Sequence, residues 1–280
     1  MRKKGRVKQS FPNKPLVSVI TVVLNGEKYL EETIQGVLNQ SYDNIEYIVI
    51  DGGSTDRTVD IIRQHEDHID YWVSEADQGI SDAFNKGINS STGPIIGIIN
   101  AGDWYELDTV ERIVSATGDG AADIVHGQLQ YWRDQEKTDL VMGNHCFLYR
   151  DMTVNHMTVF IKRALYDRLG GYSSVFRYAM DYEFLLRAKN NGAIFLYIDR
   201  CLANMRRGGL SDTGWRKALR EVAQAKRLQN SSPFIATWVY YVFSLVKGSA
   251  QRILVKVGMV RLVRLYHSRF SLVRKVAVRN

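Results

Sequence analysis

Two acidic turns, about fifty residues apart, each follow an apolar, β-branched run. Asp51-Gly52-Gly53-Ser54-Thr55-Asp56 comes after residues 45–50, and Asn100-Ala101-Gly102-Asp103 after residues 94–99. In an open α/β sheet, ligands collect outside the carboxyl ends of the strands. A carboxylate in each loop therefore describes a pocket with two fixed negative groups. Such a pocket suits the hydroxyls and ring N–H groups of a nucleotide, and a divalent cation clamped to its diphosphate, because hard cations take oxygen ligands. The competing reading is structural. Asp51 and Asp56 would then only order a tight turn, and Asp103 would cap the helix that follows it. Asp82 and Lys86 stand four residues apart, the spacing of an ordinary helical ion pair, with Asp77 just upstream.

The elements around these turns alternate regularly. Residues 17–24 form a continuous β-branched run, as in a strand buried on both faces. Residues 28–38 carry an apolar stripe (Tyr29, Leu30, Ile34, Val37, Leu38) at helical spacing. Strands are expected at 45–50, 71–74 and 95–99, with helices at 58–65 and 80–88 between them. That alternation predicts a mostly parallel sheet flanked by helices. Beyond Asp103 the rhythm loosens. Helices are expected at 107–116, 163–169, from about 181, and at 213–229, with strands at 123–126 and 157–161. Ser231-Ser232-Pro233 marks a boundary.

Charge divides the chain of 280 residues in three. Residues 1–14 hold six basic side chains and residues 233–280 hold nine, with no acid in either, while 15–232 holds 22 basic against 30 acidic residues. An acidic body with basic ends is not the footprint of a duplex-binding face, so nucleic acid is not an expected partner. Cys146 and Cys201 have no metal-type spacing and read as reduced thiols of a cytosolic protein. No apolar h-region follows the basic start, and no apolar stretch reaches the ~20 residues a membrane-spanning helix needs.

Five segments taken in order carry a resemblance. They are Val17-Ser18-Val19-Ile20-Thr21 with Asn25-Gly26-Glu27; Asp51-Gly52-Gly53-Ser54-Thr55-Asp56; Asp82-Ala83-Phe84-Asn85-Lys86-Gly87; Asn100-Ala101-Gly102-Asp103; and Met180-Asp181-Tyr182-Glu183-Phe184. Together they resemble the family 2 glycosyltransferases, inverting nucleotide-sugar enzymes with the GT-A fold, over roughly residues 15–212. The resemblance implies that Asp103 binds Mn²⁺ or Mg²⁺ bridging a sugar diphosphate. It implies that Thr21, Asn25, Glu27, Asp51, Asp82, Lys86 and Asn100 border the nucleotide sugar. Asp181 aligns with the family's general base, which takes the proton of an attacking acceptor hydroxyl; Glu183, two residues on, is the weaker candidate. The competing view of Asp181 is an acid favoured by the helix dipole. His156, Arg206 and Arg207 echo segments near the acceptor and diphosphate, although a lone His is more often structural. The chain departs from the pattern at Gly52, Gly102 and Met180, where many relatives carry an acid.

The expected organisation is a basic arm (1–14), a GT-A domain (15–232) and a basic tail (233–280). In the tail, Trp238, Tyr240, Tyr241, Phe243, Ile253, Leu254 and Val257 interleave with Arg252, Lys256 and Arg261. It reads as amphipathic helices on an anionic membrane surface, which would hold the protein to the inner face of the cytoplasmic membrane. The alternative packs this segment against the body or a second copy in a homodimer. A membrane address fits the lipid-linked glycan acceptor of polysaccharide assembly that the resemblance implies. Two rivals stand beside this reading. One is a scaffold of the same fold without turnover. The other is a metal-dependent nucleotidyltransferase, which would need a Gly-rich, basic phosphate loop that Leu24-Asn25-Gly26-Glu27 does not supply.

Overall fold

A computed structural model describes residues 8–118, 120–133, 135–207, 214–229, 234–259 and 275–277. β1 (Val17–Val23), β2 (Ile45–Asp51), β3 (Tyr71–Ser74) and β4 (Ile95–Asn100) pair in parallel in the order β4-β1-β2-β3. Every residue of β1 and β2 is buried, as mainly apolar runs require of strands covered on both faces, and the buried Ser18 hydroxyl of β1 donates to the buried Glu46 of β2 (2.6 Å). Alternate side chains feed two cores. Ile20, Ile48, Ile50, Ile96 and Phe84 share one with Phe184, while Val17, Val19, Tyr47 and Val49 meet Leu30 and Ile34 on the other.

The helices between the strands are α1 (Leu30–Leu38), α2 (Thr58–Gln64) and α3 (Ile80–Ser90). After β4 the sheet turns antiparallel. β5 (Trp104–Tyr105), α4 (Thr109–Ala116), β6 (Ile124–Arg133), β7 (Glu136–Val141), β8 (Phe160–Lys162) and α5 (Arg163–Leu169) follow. Next come α6 (Met180–Asn190), β9 (Phe195–Arg206), α7 (Trp215–Leu228), α8 (Phe234–Lys256) and β10 (Lys275–Ala277). β8 joins β4 to β6 antiparallel, and β9 runs parallel to β6 while pairing β5 antiparallel. This mixed α/β sheet with a parallel half and an antiparallel extension is the GT-A architecture.

Several expectations change in detail. The strand expected at 157–161 starts at Phe160, because His156–Thr158 forms a 3₁₀ turn closed by the Thr158 hydroxyl on the Asn155 carbonyl (2.8 Å). The strand expected at 123–126 is the start of a longer β6 that turns back as β7, and β9 was not expected at all. Of the basic arm, residues 1–7 lie outside the described residues; Lys8 is tied to Asp70 (2.8 Å) and Lys14 to Asp43 (2.6 Å). In the tail α8 is helical as expected, but 275–277 form an edge strand on β7, and 260–274 lie outside the described residues. No helix among the described residues is long and apolar enough to cross a membrane.

Candidate active site

The strand register brings the two acidic turns together. Asp51 ends β2 opposite Val23, and Asn100 ends β4 opposite Val22, so both turns flank the carboxyl end of β1. Asp51 is fully buried. Its carboxylate accepts the Ser54 N–H (3.1 Å) and the hydroxyls of Ser54 and Ser74 (2.5 Å for the latter). It therefore orders its own loop, whatever else it touches.

The loop after β1 is stapled to that turn. Asn25, in the left-handed region at φ 52°, accepts the Thr55 N–H (2.9 Å) and donates its own N–H to Ser54 Oγ (2.7 Å). Glu27 accepts the Arg57 N–H, and Asp56 the Glu27 N–H, each at 3.1 Å. Asn25 and Glu27 thus shape the edge through loop-to-loop bonds. Thr21 corrects the expectation made for it. It is fully buried within β1, its hydroxyl bonded to Tyr47 Oη at 3.0 Å, so it serves the sheet interior.

Asp103 sits in a turn pinned by Thr33 of α1, whose hydroxyl accepts the Gly102 N–H and donates to the Asp103 carbonyl, both at 2.8 Å. Gly102 holds φ +100°, a conformation that strains any residue with a Cβ, which gives the missing acid at this position a backbone reason. Asp103 caps nothing, since α4 starts only at Thr109 with Asp108 at its cap position. Its buried carboxylate accepts the backbone N–H of Arg206, at the end of β9 (3.1 Å). Burial pushes this carboxyl up to about 7, against the pull of the Arg206 N–H and charge. Three residues back, the buried Asn100 Oδ1 has no hydrogen-bond partner. An orphaned oxygen and an under-satisfied carboxylate in one turn fit a hard divalent cation, with phosphates and waters completing its shell.

The structure separates the two arginines. Arg206 pairs with Glu32 and lies between the rings of Tyr29 (4.8 Å) and Trp104 (4.9 Å), beside Asp103. Arg207 pairs with Asp139 and covers Tyr131 (4.7 Å) on the β6–β7 hairpin. Only Arg206 belongs to the Asp103 turn.

Lys86 lies among Asp77 (2.7 Å), Glu75 (3.0 Å) and Asp82 (3.2 Å), and these partners raise its pKa despite the cost of desolvation. Asp82 also accepts the Gln78 N–H (3.1 Å), which, with Lys86, lowers its carboxyl. The Asp82–Lys86 pair is therefore one edge of a larger cluster. Asp77 adds something the sequence does not show. Its Oδ2 lies 2.6 Å from where a Cβ on Gly52 would be, so its carboxylate fills the space of the absent side chain beside Asp51.

Asp181 stands in the first turn of α6, half-buried, its Oδ1 accepting the Tyr182 N–H at 2.7 Å. Burial pushes its carboxyl up to about 6; that N–H opposes the shift and the charge of Glu221 on α7 adds to it. The segment before α6 is sewn to α3. Asn85 bonds the Tyr172 backbone twice (2.8 Å each), and the Ser81 hydroxyl donates to the Phe176 carbonyl (2.9 Å). Tyr172 feels the Asp181 charge and meets Phe84 edge-on at 5.1 Å. His156 stacks on Phe84 (5.0 Å), with Nε2 buried and unpartnered, and burial pushes it down to about 4, leaving a neutral imidazole. Glu183 is committed elsewhere: buried, it holds Arg187 bidentately at 2.9 and 3.0 Å. Met180 faces the core.

A parallel sheet with acidic turns at its carboxyl edge and an antiparallel extension leading into α6 is the expected GT-A arrangement. The chain belongs to glycosyl transferase family 2, whose profile matches residues 18–206. It is 34% identical over 180 residues to an uncharacterized glycosyltransferase of Mycobacterium tuberculosis, covering 62% of this chain and 69% of that one. It is 29% identical over 209 residues to a PGL/p-HBAD biosynthesis glycosyltransferase of Mycobacterium bovis, covering 71% and 80%. Among solved structures it resembles the mannosyltransferase PcManGT of Pyrobaculum calidifontis with GDP-Man and Mn²⁺ (TM-score 0.64, 17% identity, 95% and 86% covered). It also resembles S. aureus TarS 1–349 with UDP-GlcNAc (TM-score 0.62, 18% identity, 75% and 66% covered). The chain spans 65% of the length of TarS 1–349 in its UDP complex. Family membership removes the nucleotidyltransferase rival.

Proposed function

We propose that the domain over 15–232 moves a sugar, with inversion, from a nucleotide-diphosphate donor to a hydroxyl acceptor, with Asp181 as general base. The observation that carries this reading is the strand register that sets the Asp51 and Asp103 turns side by side at the carboxyl end of β1, with Asp181 in the first turn of α6; there burial raises its carboxyl to about 6, so that it is ionised at neutral pH yet basic enough to accept a proton. The acceptor hydroxyl would attack the anomeric carbon as its proton passes to Asp181, and the nucleoside diphosphate would depart from the opposite face. The acidic edge of Asp51, Asp77 and Asp82 with Lys86 would border the nucleoside and diphosphate, with Asn25 and Glu27 shaping that edge. Asp103 and Asn100 would hold Mn²⁺ or Mg²⁺, which when bound would neutralise charge on the leaving diphosphate. Arg206 lies beside them with its charge already shared by Glu32. His156, a neutral ring behind Tyr172, would support the acceptor side. The neighbours solved with GDP-Man and Mn²⁺ or with UDP-GlcNAc are consistent with this donor class. The test is a panel of nucleotide sugars with Mn²⁺ or Mg²⁺, following free nucleoside diphosphate and the anomeric configuration of the product. Release with no donor, or a product of retained configuration, would overturn the reading.

The acceptor we propose is a lipid-linked glycan at the inner face of the cytoplasmic membrane, reached through α8. One face of this helix packs on the body: Tyr240 bonds Asp151 (2.8 Å), and Arg252 lies over Trp215 (4.2 Å). The opposite face exposes Ile235, Trp238, Val239, Phe243, Val246 and Ile253 at helical spacing. No Asp or Glu occurs after Glu221. An apolar face in a segment whose charges are all basic suits an anionic bilayer. The protein is expected to sediment with phosphatidylglycerol vesicles. Phe243→Glu combined with Val246→Glu should cut binding by about tenfold or more, since each side chain contributes ~1.5–3 kcal/mol when buried. Undiminished binding would refute this role for the face, and a concentration-dependent dimer lost in the same variant would give it to a second copy.

A further inference from the structure

α7 brings a single acid to the segment that carries Asp181. One oxygen of Glu221 accepts three consecutive backbone N–H groups: Arg177 at 3.0 Å, Tyr178 at 2.6 Å and Ala179 at 2.9 Å. Those residues run straight into α6, where Asp181 is the second residue, and no side chain within the segment caps that helix. A carboxylate gathering successive N–H groups at a helix entry fixes both the backbone path and the local charge, because that end of a helix favours anions. The seam is close-fitting. A Cβ on Gly214, at the start of α7, would lie 2.2 Å from the Tyr178 ring. The far end of α7 is clamped as well: the Lys226 ammonium donates to the Arg150 carbonyl (2.6 Å), and the amide after the helix, on Gln229, donates to Glu183 (2.9 Å). Glu221 is thus held by a helix anchored along its length and spends its carboxylate on the turn in front of Asp181.

We propose that Glu221 is a positioning residue for Asp181, fixing the first turn of α6 so that the Asp181 carboxylate meets the acceptor hydroxyl. This inference rests on Asp181 being the base. Its negative charge also helps to hold the Asp181 carboxyl high. The titratable groups facing Asp181 are Glu221 from α7 and Tyr172 from the preceding loop, whose hydroxyl burial keeps protonated. The nearby His156 is neutral above pH 5.

The test uses full-length enzyme, a nucleotide sugar it turns over, and pH 5 to 8. Glu221→Gln keeps an oxygen that can accept the N–H bonds but removes the charge, whereas Glu221→Ala removes both. Glu221→Gln is expected to move the acidic limb of the kcat/KM profile down by about half a pH unit or more, with kcat close to wild type. Glu221→Ala is expected to lower kcat by about 10- to 100-fold while KM for the donor stays within about twofold, the signature of a misplaced base. A merely structural acid would lower the melting temperature in both variants and leave the limb in place. That unmoved limb overturns the proposal, and Glu221→Gln alone decides it if the alanine variant does not fold. Asp181→Asn is measured alongside. Full activity in that variant removes the base assignment itself, whereas an inert Asp181→Asn with an unmoved Glu221→Gln limb removes only the positioning role.

Discussion

Asp181→Asn should lose at least ~10²-fold in kcat, the lower bound of what a positioned general base contributes, while becoming more stable than wild type above pH 6. Both halves follow from the same burial. The Asn side chain keeps an oxygen for the Tyr182 N–H, so the turn is preserved and donor KM should change little. In the folded protein the Asp181 carboxyl is raised from 3.8 to about 6. A raised pKa means that the folded state binds the proton more tightly than the unfolded chain. Its contribution to stability is complete below pH 3.8 and is lost as pH rises through 6. At pH 7.5 wild type therefore carries a burden of up to about 3 kcal/mol, at 1.36 kcal/mol per unit, which the Asn variant lacks. Thermal unfolding of both proteins at pH 7.5 and 4 checks this. The variant should melt several degrees higher at pH 7.5, and the gap should close towards pH 4. Retained turnover would refute the base, and a destabilised variant would show the side chain to be structural.

Asp103→Asn is expected to lower transfer by about 10²–10³-fold and to abolish its dependence on added Mn²⁺ or Mg²⁺, because the electrostatic partner of the leaving diphosphate is then poorly held. The amide oxygen can still accept the Arg206 N–H, so the turn between β4 and β5 should survive, and circular dichroism should match wild type. Rates measured with and without metal, and with a chelator, provide the check. Chelation should bring wild type down to the level of the variant and leave the variant unchanged. A variant still stimulated by Mn²⁺ would move the cation away from Asp103.

The parallel half of the fold was legible because its strands are buried on both faces, and mainly apolar, β-branched runs such as Ile45–Asp51 announce that. The edge positions of Asp51 and Asn100 followed from it. β9 was not legible. It is long, half-exposed and interrupted by Asp199-Arg200, and it exists through pairing with β5 and β6, far off in the chain. The same distance hides part of the site's electrostatics. Burial raises both carboxyls, and the smaller influences, Arg206 opposing it at Asp103 and Glu221 adding to it at Asp181, come from residues that local spacing cannot connect. That the Thr21 side chain alternates into the sheet towards Tyr47 shows only in the pairing of β1 with β2. Asp77 showed its proximity to Gly52 only once α3 was folded against the sheet.

The central claim is that Asp51, Asp103 and Asp181 serve one donor and one acceptor in a shared cleft. A crystal structure with Mn²⁺ and a nucleoside diphosphate donor tests it most directly. The expected result is an anomalous manganese peak within ligand distance of Asp103, the nucleoside along the Asp51 loop, and the Asp181 carboxylate facing the anomeric carbon. A metal peak elsewhere, or Asp181 directed away from the sugar, would contradict it.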